Sequence, residues 1–150
     1  MTITLLCQIP DSGLGSLARE QGPGGTVLCA PQPAAVATAQ RVFPDRRIEV
    51  KKLYAEPELG KDFRAFPSLA LLAWMLFPGA GAEAPEEARR RVIDTSVRLI
   101  EISKSQEDAV LVAGPALLRL MAFKLNAIGY TGGFLTGFSP GERRVYRYQV

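Results

Sequence analysis

A chain of 150 residues, 47% hydrophobic and 22% charged, has the size and balance of one folded domain and can bury roughly 70% of its unfolded surface. Eighteen lysines and arginines against fifteen acidic residues leave a net charge of +3. The basic residues cluster only in short runs such as Arg46-Arg47, Lys51-Lys52 and Arg89-Arg90-Arg91, which argues against the concentrated basic face that a nucleic-acid site needs. There is no histidine, so imidazole chemistry, as base, nucleophile or metal ligand, is excluded.

Ile3 to Cys7 is a leucine-rich, β-branched run bounded by turn residues, the pattern of a strand buried on both faces. Lacking a basic start and a long apolar stretch, the first residues do not resemble a signal peptide. Gly13 to Gly25 follows, with a short helical stretch expected around Leu14 to Glu20 and ended by Gly22, Gly24 and Gly25. Thr26 to Cys29 reads as a second strand. Pro33 suits the first turn of a helix over Ala34 to Val42, and Pro44 stops it. Arg47 to Leu53 alternates enough for a third strand, leading into a loop from Tyr54 to Gly60.

Pro67 to Phe77 predicts a helix that is apolar nearly all round, closed by Pro78-Gly79-Ala80-Gly81. Its apolar run, Leu69 to Phe77, falls well short of the ~20 residues of a membrane span. Pro85 starts the longest helix, with Glu86 and Glu87 placed to favour the positive end of its dipole. Ala88, Val92, Leu99 and Ile102 mark its buried face, and Arg89-Arg90-Arg91 reads as one solvated turn. Ala109 to Ala113 is a strand that Gly114-Pro115 turns directly into a helix over Ala116 to Ile128, capped by Gly129. Leu117, Leu118, Leu120, Met121, Leu125 and Ile128 make that helix too apolar for the surface. Phe134 to Phe138 and Arg144 to Val150 predict a closing hairpin around Ser139-Pro140-Gly141-Glu142.

Strands alternating with helices imply an α/β fold, a three-layer α/β/α arrangement with a mostly parallel sheet, and ligand chemistry at the carboxyl ends of the strands. That rule singles out Cys7, Cys29, Glu56 and Gly114. Two cysteines in apolar settings do not make a secreted disulfide framework, so a reducing, cytoplasmic setting is expected. Cys7 and Cys29 most simply read as small buried hydrophobes.

In order and spacing these points resemble the histidine phosphatase superfamily, the phosphoglycerate mutase-like enzymes, through almost the whole chain. Where such enzymes carry Arg-His-Gly after the first strand, with the histidine taking the phosphoryl group, this chain has Cys7-Gln8-Ile9. Their Ser-Ser-Pro-x-x-Arg-Ala-x-x-Thr-Ala is matched by Cys29-Ala30-Pro31-Gln32-Pro33-Ala34-Ala35-Val36-Ala37-Thr38-Ala39, with Ala34 in place of the phosphate-binding arginine. Glu56-Pro57-Glu58-Leu59-Gly60 resembles the element that carries the proton donor, and the resemblance assigns that place to Glu56. Trp74 and Gly81-Ala82-Glu83-Ala84 echo a further element, and its arginine falls on Arg91. The Ser-His-Gly-x-x-Ile-Arg after the fourth strand becomes Ala113-Gly114-Pro115-Ala116-Leu117-Leu118-Arg119, with Gly114 at the second histidine.

The resemblance therefore implies a retained scaffold from which the chemistry is gone, with no cofactor and no metal. Phosphoryl transfer of this kind needs a neutral imidazole nucleophile and cations to hold the charge on the phosphoryl oxygens. The expected function is binding: a homodimer or a complex with another protein through Leu69, Leu72, Trp74, Met75 and Phe77, since large apolar surfaces are rarely idle. No nucleic acid and no membrane is expected. One alternative is a sensor that holds a phosphorylated or other anionic small molecule with Lys61, Arg64 and Arg119 around Glu56. Another is a rewired enzyme with Cys7 as nucleophile, the resemblance placing Cys7 and Cys29 at the ends of neighbouring strands, close enough to touch. Arg119, in the middle of an apolar helix, is expected to pair with Glu56 or Glu83.

Overall fold

The computed structural model describes residues 1–22, 24–57, 85–106, 108–134 and 136–148. Its strands are β1 (Thr2–Cys7), β2 (Val27–Cys29), β3 (Ile48–Val50), β4 (Asp108–Ala113), β5 (Tyr130–Thr131) and β6 (Arg143–Tyr148). Its α-helices are α1 (Pro33–Val42), α2 (Pro85–Gln106) and α3 (Pro115–Ala127), with short 3-10 turns at Asp11–Ser16 and Lys52–Tyr54. Lys61, Arg64, Glu83 and the expected interface residues Leu69, Leu72, Trp74, Met75 and Phe77 lie outside the described residues.

The six strands form one sheet in the order β3-β2-β4-β1-β6-β5. The first four are mutually parallel, while β6 runs antiparallel to both β1 and β5. Helix α1 packs with the Asp11–Ser16 turn on one face, and α2 packs with α3 on the other, the disposition that right-handed crossovers produce. This is the expected three-layer α/β/α arrangement. Strand β4 lies at its centre, and Ala109, Leu111, Val112 and Ala113 are fully buried, which is why that segment reads as a continuous apolar run.

Helix α3 buries Leu117, Leu118, Met121, Ala122 and Leu125. Its outer residue Phe123 meets Phe134 edge-on, with ring centroids 5.8 Å apart. Ala88, Val92, Leu99 and Ile102 of α2 are buried as their spacing predicts. Among the described residues no helix is long and apolar enough to cross a membrane.

The structure corrects four local expectations. The helical stretch expected around Leu14 to Glu20 is a 3-10 turn at Asp11–Ser16, because glycines at 13 and 15 favour a tight, short turn over an α-helix. Strand β3 is only three residues long. After Val50 the chain turns to bury Tyr54, whose side chain is fully inaccessible.

Among the described residues the expected closing hairpin does not form. The Ser139 to Glu142 turn forms, with the Glu142 N–H donating to the Ser139 carbonyl at 2.9 Å, but the described residues 134 and 136–138 make no strand. The carbonyls of Gly133, Thr136 and Gly137 are taken by the Arg144 guanidinium, and that of Gly133 also by the Tyr146 hydroxyl. Acceptors used that way cannot build a ladder.

Cys7 and Cys29, finally, are not on neighbouring strands. Cys7 pairs with Ala113 and Cys29 with Val112, on opposite edges of the intervening β4. Consecutive β4 residues point to opposite faces, so the two thiols are a strand apart and on opposite sides of the sheet. No disulfide spans that.

Candidate functional site

The carboxyl ends of β1, β2 and β4 are tied together by backbone. The Gln8 N–H donates to the Ala113 carbonyl and the Ala30 N–H to the Val112 carbonyl, both at 2.9 Å. On the other side of β1, the Cys7 N–H donates to the Glu142 carbonyl at 2.9 Å, and the Gly141 N–H returns to the Cys7 carbonyl at 3.1 Å. Gly141 has a φ of +78°, a conformation that glycine adopts without steric penalty. Thr38 in α1 is fully buried. Its hydroxyl accepts from the Ile9 N–H at 3.0 Å and donates to the Ala34 carbonyl at 2.7 Å, so the helix that follows β2 is pinned to the chain leaving β1. Ala34 thus acts through its backbone only.

Glu56 arrives on an arm fixed at two points. The Tyr54 hydroxyl donates to the Glu49 carboxylate at 2.7 Å. Arg98 of α2 grips the same carboxylate through two nitrogens, at 3.3 and 3.2 Å, a fork that holds direction as well as charge. One residue before Glu56, the Ala55 carbonyl accepts from Arg91 at 2.7 Å. The Arg89 triplet is therefore not one uniform solvated turn: Arg89 and Arg90 are exposed, whereas Arg91 is half-buried against the Glu56 arm.

The arm delivers the Glu56 carboxylate to the amino end of α3. One oxygen accepts from the Ala116 N–H at 3.1 Å and the other from the Leu117 N–H at 2.6 Å. These are the first amides the helix has to offer, since Pro115 at its first position has no N–H and the N-cap Gly114 has no side chain to cap with. A Cβ built on Gly114 would run into the Glu56 carboxyl. The position where the family resemblance places a second histidine is thus filled by a side chain from a distant part of the sequence.

The electrostatics follow from this packing. Burial pushes the Glu56 carboxyl up, outweighing the two amides and Arg91, which pull it down. Cys7 is pushed up to about 12, first by burial and then by the negative charges of Glu56 and Glu142. Cys29 is also pushed up to about 12 by burial, and its thiol donates to the Ala30 carbonyl at 3.2 Å. Reactive thiols sit in electropositive, partly exposed places; both of these are the reverse. The Gln8 side-chain oxygen is buried with no hydrogen-bond partner among the described residues.

Of the residues singled out from sequence, the structure brings Cys7, Glu56 and Gly114 together at one end of the sheet and sets Cys29 apart. The Arg119 guanidinium lies over the Phe123 ring, 5.6 Å from its centroid. The cation whose charge bears on Glu56 is Arg91. The sequence reading missed Glu142, whose backbone binds Cys7 and whose charge reaches it. A glutamate in a Ser-Pro-Gly-Glu turn carries no signal of that proximity, which arises only because β6 returns beside β1. Among the described residues no group of three or more cysteine, aspartate or glutamate side chains is disposed to hold a metal ion.

No family model and no curated protein matches the chain. Solved structures do. The alpha-ribazole phosphatase from Shigella flexneri superposes with a TM-score of 0.63 at 16% identity, over 97% of this chain and 89% of that one. A mycobacterial glucosyl-3-phosphoglycerate phosphatase gives 0.58 at 16% identity, over 96% and 90%. The phosphoglycerate mutase from Plasmodium falciparum gives 0.51 at 12% identity, over 84% and 75%. These likenesses show the fold: the chain has the phosphoglycerate mutase-like α/β architecture that these structures share.

Proposed function

We propose that this phosphoglycerate mutase-like chain performs no phosphoryl transfer and works by binding. The observation that carries the reading is the seat of Glu56. Where the family resemblance calls for a second histidine, this chain has a glycine with no room for a side chain, and a carboxylate packs there instead. The described site presents acidic side chains where transfer chemistry needs cations and an imidazole. Loss of one oxyanion donor alone typically lowers a rate by ~10²–10³, and here the nucleophile is missing as well, since the chain holds no histidine.

A thiol mechanism is the weaker reading, because the shift of Cys7 to about 12 leaves the thiolate scarce near neutral pH. The binding surface we propose is the apolar segment with Leu69, Leu72, Trp74, Met75 and Phe77, which suits a second copy of the chain or another protein. A cytoplasmic, reducing setting accords with two cysteines that cannot pair with each other.

The test is turnover of p-nitrophenyl phosphate by the purified chain. No release of nitrophenol above the buffer rate is expected. Release that disappears in Glu56→Gln would overturn the reading.

A further inference from the structure

We propose that Glu56 is a built-in ligand, occupying the anion seat at the amino end of α3 and keeping phosphate out of it. The amino end of a helix offers free N–H groups and the positive end of the dipole to an anion. In α3 the free donors are the amides of Ala116 and Leu117, and each is taken by one oxygen of a single carboxylate. This is how an external oxyanion would be held, with the difference that the anion is tethered to the protein.

Three further features show a fitted seat rather than a chance contact. Gly114 leaves a space beside the helix end that a side chain of its own would contest, and the Glu56 carboxyl fills it. The arm carrying Glu56 is clamped on α2 from both sides, at Ala55 by Arg91 and at Tyr54 through Glu49 and Arg98. The negative charges of Glu56 and Glu142 both bear on the neighbouring Cys7, so the surroundings of the seat at the end of β1 are acidic. Glu56 and Ala116 are sixty residues apart in sequence, which makes the contact a tertiary closure and not the local capping that helices ordinarily use.

The inference rests on the reading that the chain transfers no phosphoryl group, since a phosphoryl substrate would need this seat. It narrows that reading: a phosphorylated ligand is excluded from the carboxyl end of β4 unless Glu56 leaves, so the partner binds elsewhere or is not an anion.

Nitrogen-15 NMR of the Ala116 and Leu117 amides during titration with inorganic phosphate tests it. In the native chain the two resonances should stay still at concentrations that saturate Glu56→Ala, where both should shift saturably and phosphate should raise the melting temperature. If Glu56→Ala does not fold, Glu56→Ser, which also empties the seat, carries the same comparison. The proposal is overturned if the native amides respond as strongly as those of the variant, or if a folded variant shows no phosphate response at these amides. Nitrophenyl phosphate turnover on the same samples separates the two ideas. Turnover by the native chain refutes the non-catalytic reading, whereas phosphate reaching the native amides without turnover refutes only the built-in ligand.

Discussion

Glu56 shows what burial does to a single carboxyl in this fold. Its amide bonds and Arg91 favour the charged form, yet burial prevails and the group titrates above the ordinary carboxylate value. A proton is therefore held more tightly in the folded chain than in the unfolded one. Its contribution to stability is fully present below the unfolded carboxylate value and is lost as pH rises through the raised folded value. Glu49, held by Arg98 and Tyr54, and Glu142, held by Arg144 and the Ser139 amide, are shifted down despite some burial. Their contributions have the opposite sign, present above the unfolded carboxylate value and lost as pH falls. They are common to the native chain and to Glu56→Gln, so the difference between the two isolates Glu56. Denaturant unfolding as a function of pH should show the native chain losing stability relative to Glu56→Gln from about pH 4.5 upward, then levelling once Glu56 is ionised in both states. A difference that ran the other way would mean that the amides outweigh burial. At this scale Gln8, Ala34 and Gly114 were legible from sequence as vacancies. That one vacancy is filled, and by what, was not, because the filling side chain belongs to a distant segment.

The segment from Gly133 to Glu142 illustrates how an element can be misread although its turn is read correctly. Ser-Pro-Gly-Glu predicts a reversal, and a reversal forms, but the chain before it is organised by one side chain. Arg144 donates to the carbonyls of Gly133, Thr136 and Gly137 and to the Thr136 hydroxyl, pairs with Glu142, and stacks on Phe138 at 4.0 Å. The planar guanidinium supplies donors in several directions at once, which lysine does not. Arg144→Ala should destabilise the protein by about 2 kcal/mol, since several carbonyls lose their donor together. Hydrogen exchange should locate the loss: the amides of Cys7 and Gly141, which bond across this turn, should lose protection while those in the middle of α3 keep it. Uniform loss across both would mean that the loop is not an independent unit. The long helices carry no such ambiguity, since α1, α2 and α3 begin at Pro33, Pro85 and Pro115, the placement that proline favours.

At the scale of the whole molecule, β4 organises the fold, bonded to β1 on one side and β2 on the other with helices on both faces. Leu111, fully buried at its middle, touches both halves of the sheet, so Leu111→Ala should cost ~2–5 kcal/mol and do so in one cooperative transition, as expected of a single domain. Biphasic unfolding would divide the chain into independent parts. By itself the sequence determined the alternation of strands and helices, the apolar centre of the sheet, the proline-led helix starts, and the exclusion of imidazole chemistry. These are properties of residue type and of patterns repeating within a few positions. Tertiary structure alone decided that β4 separates Cys7 from Cys29, that β6 pairs with the distant β1 as well as with its sequence neighbour β5, and that Glu56 closes the end of α3. Each depends on which distant segments meet, and many strands of similar apolar pattern could have met. The outcome is selected by the packing and hydrogen bonding of the assembled chain, which no local window contains.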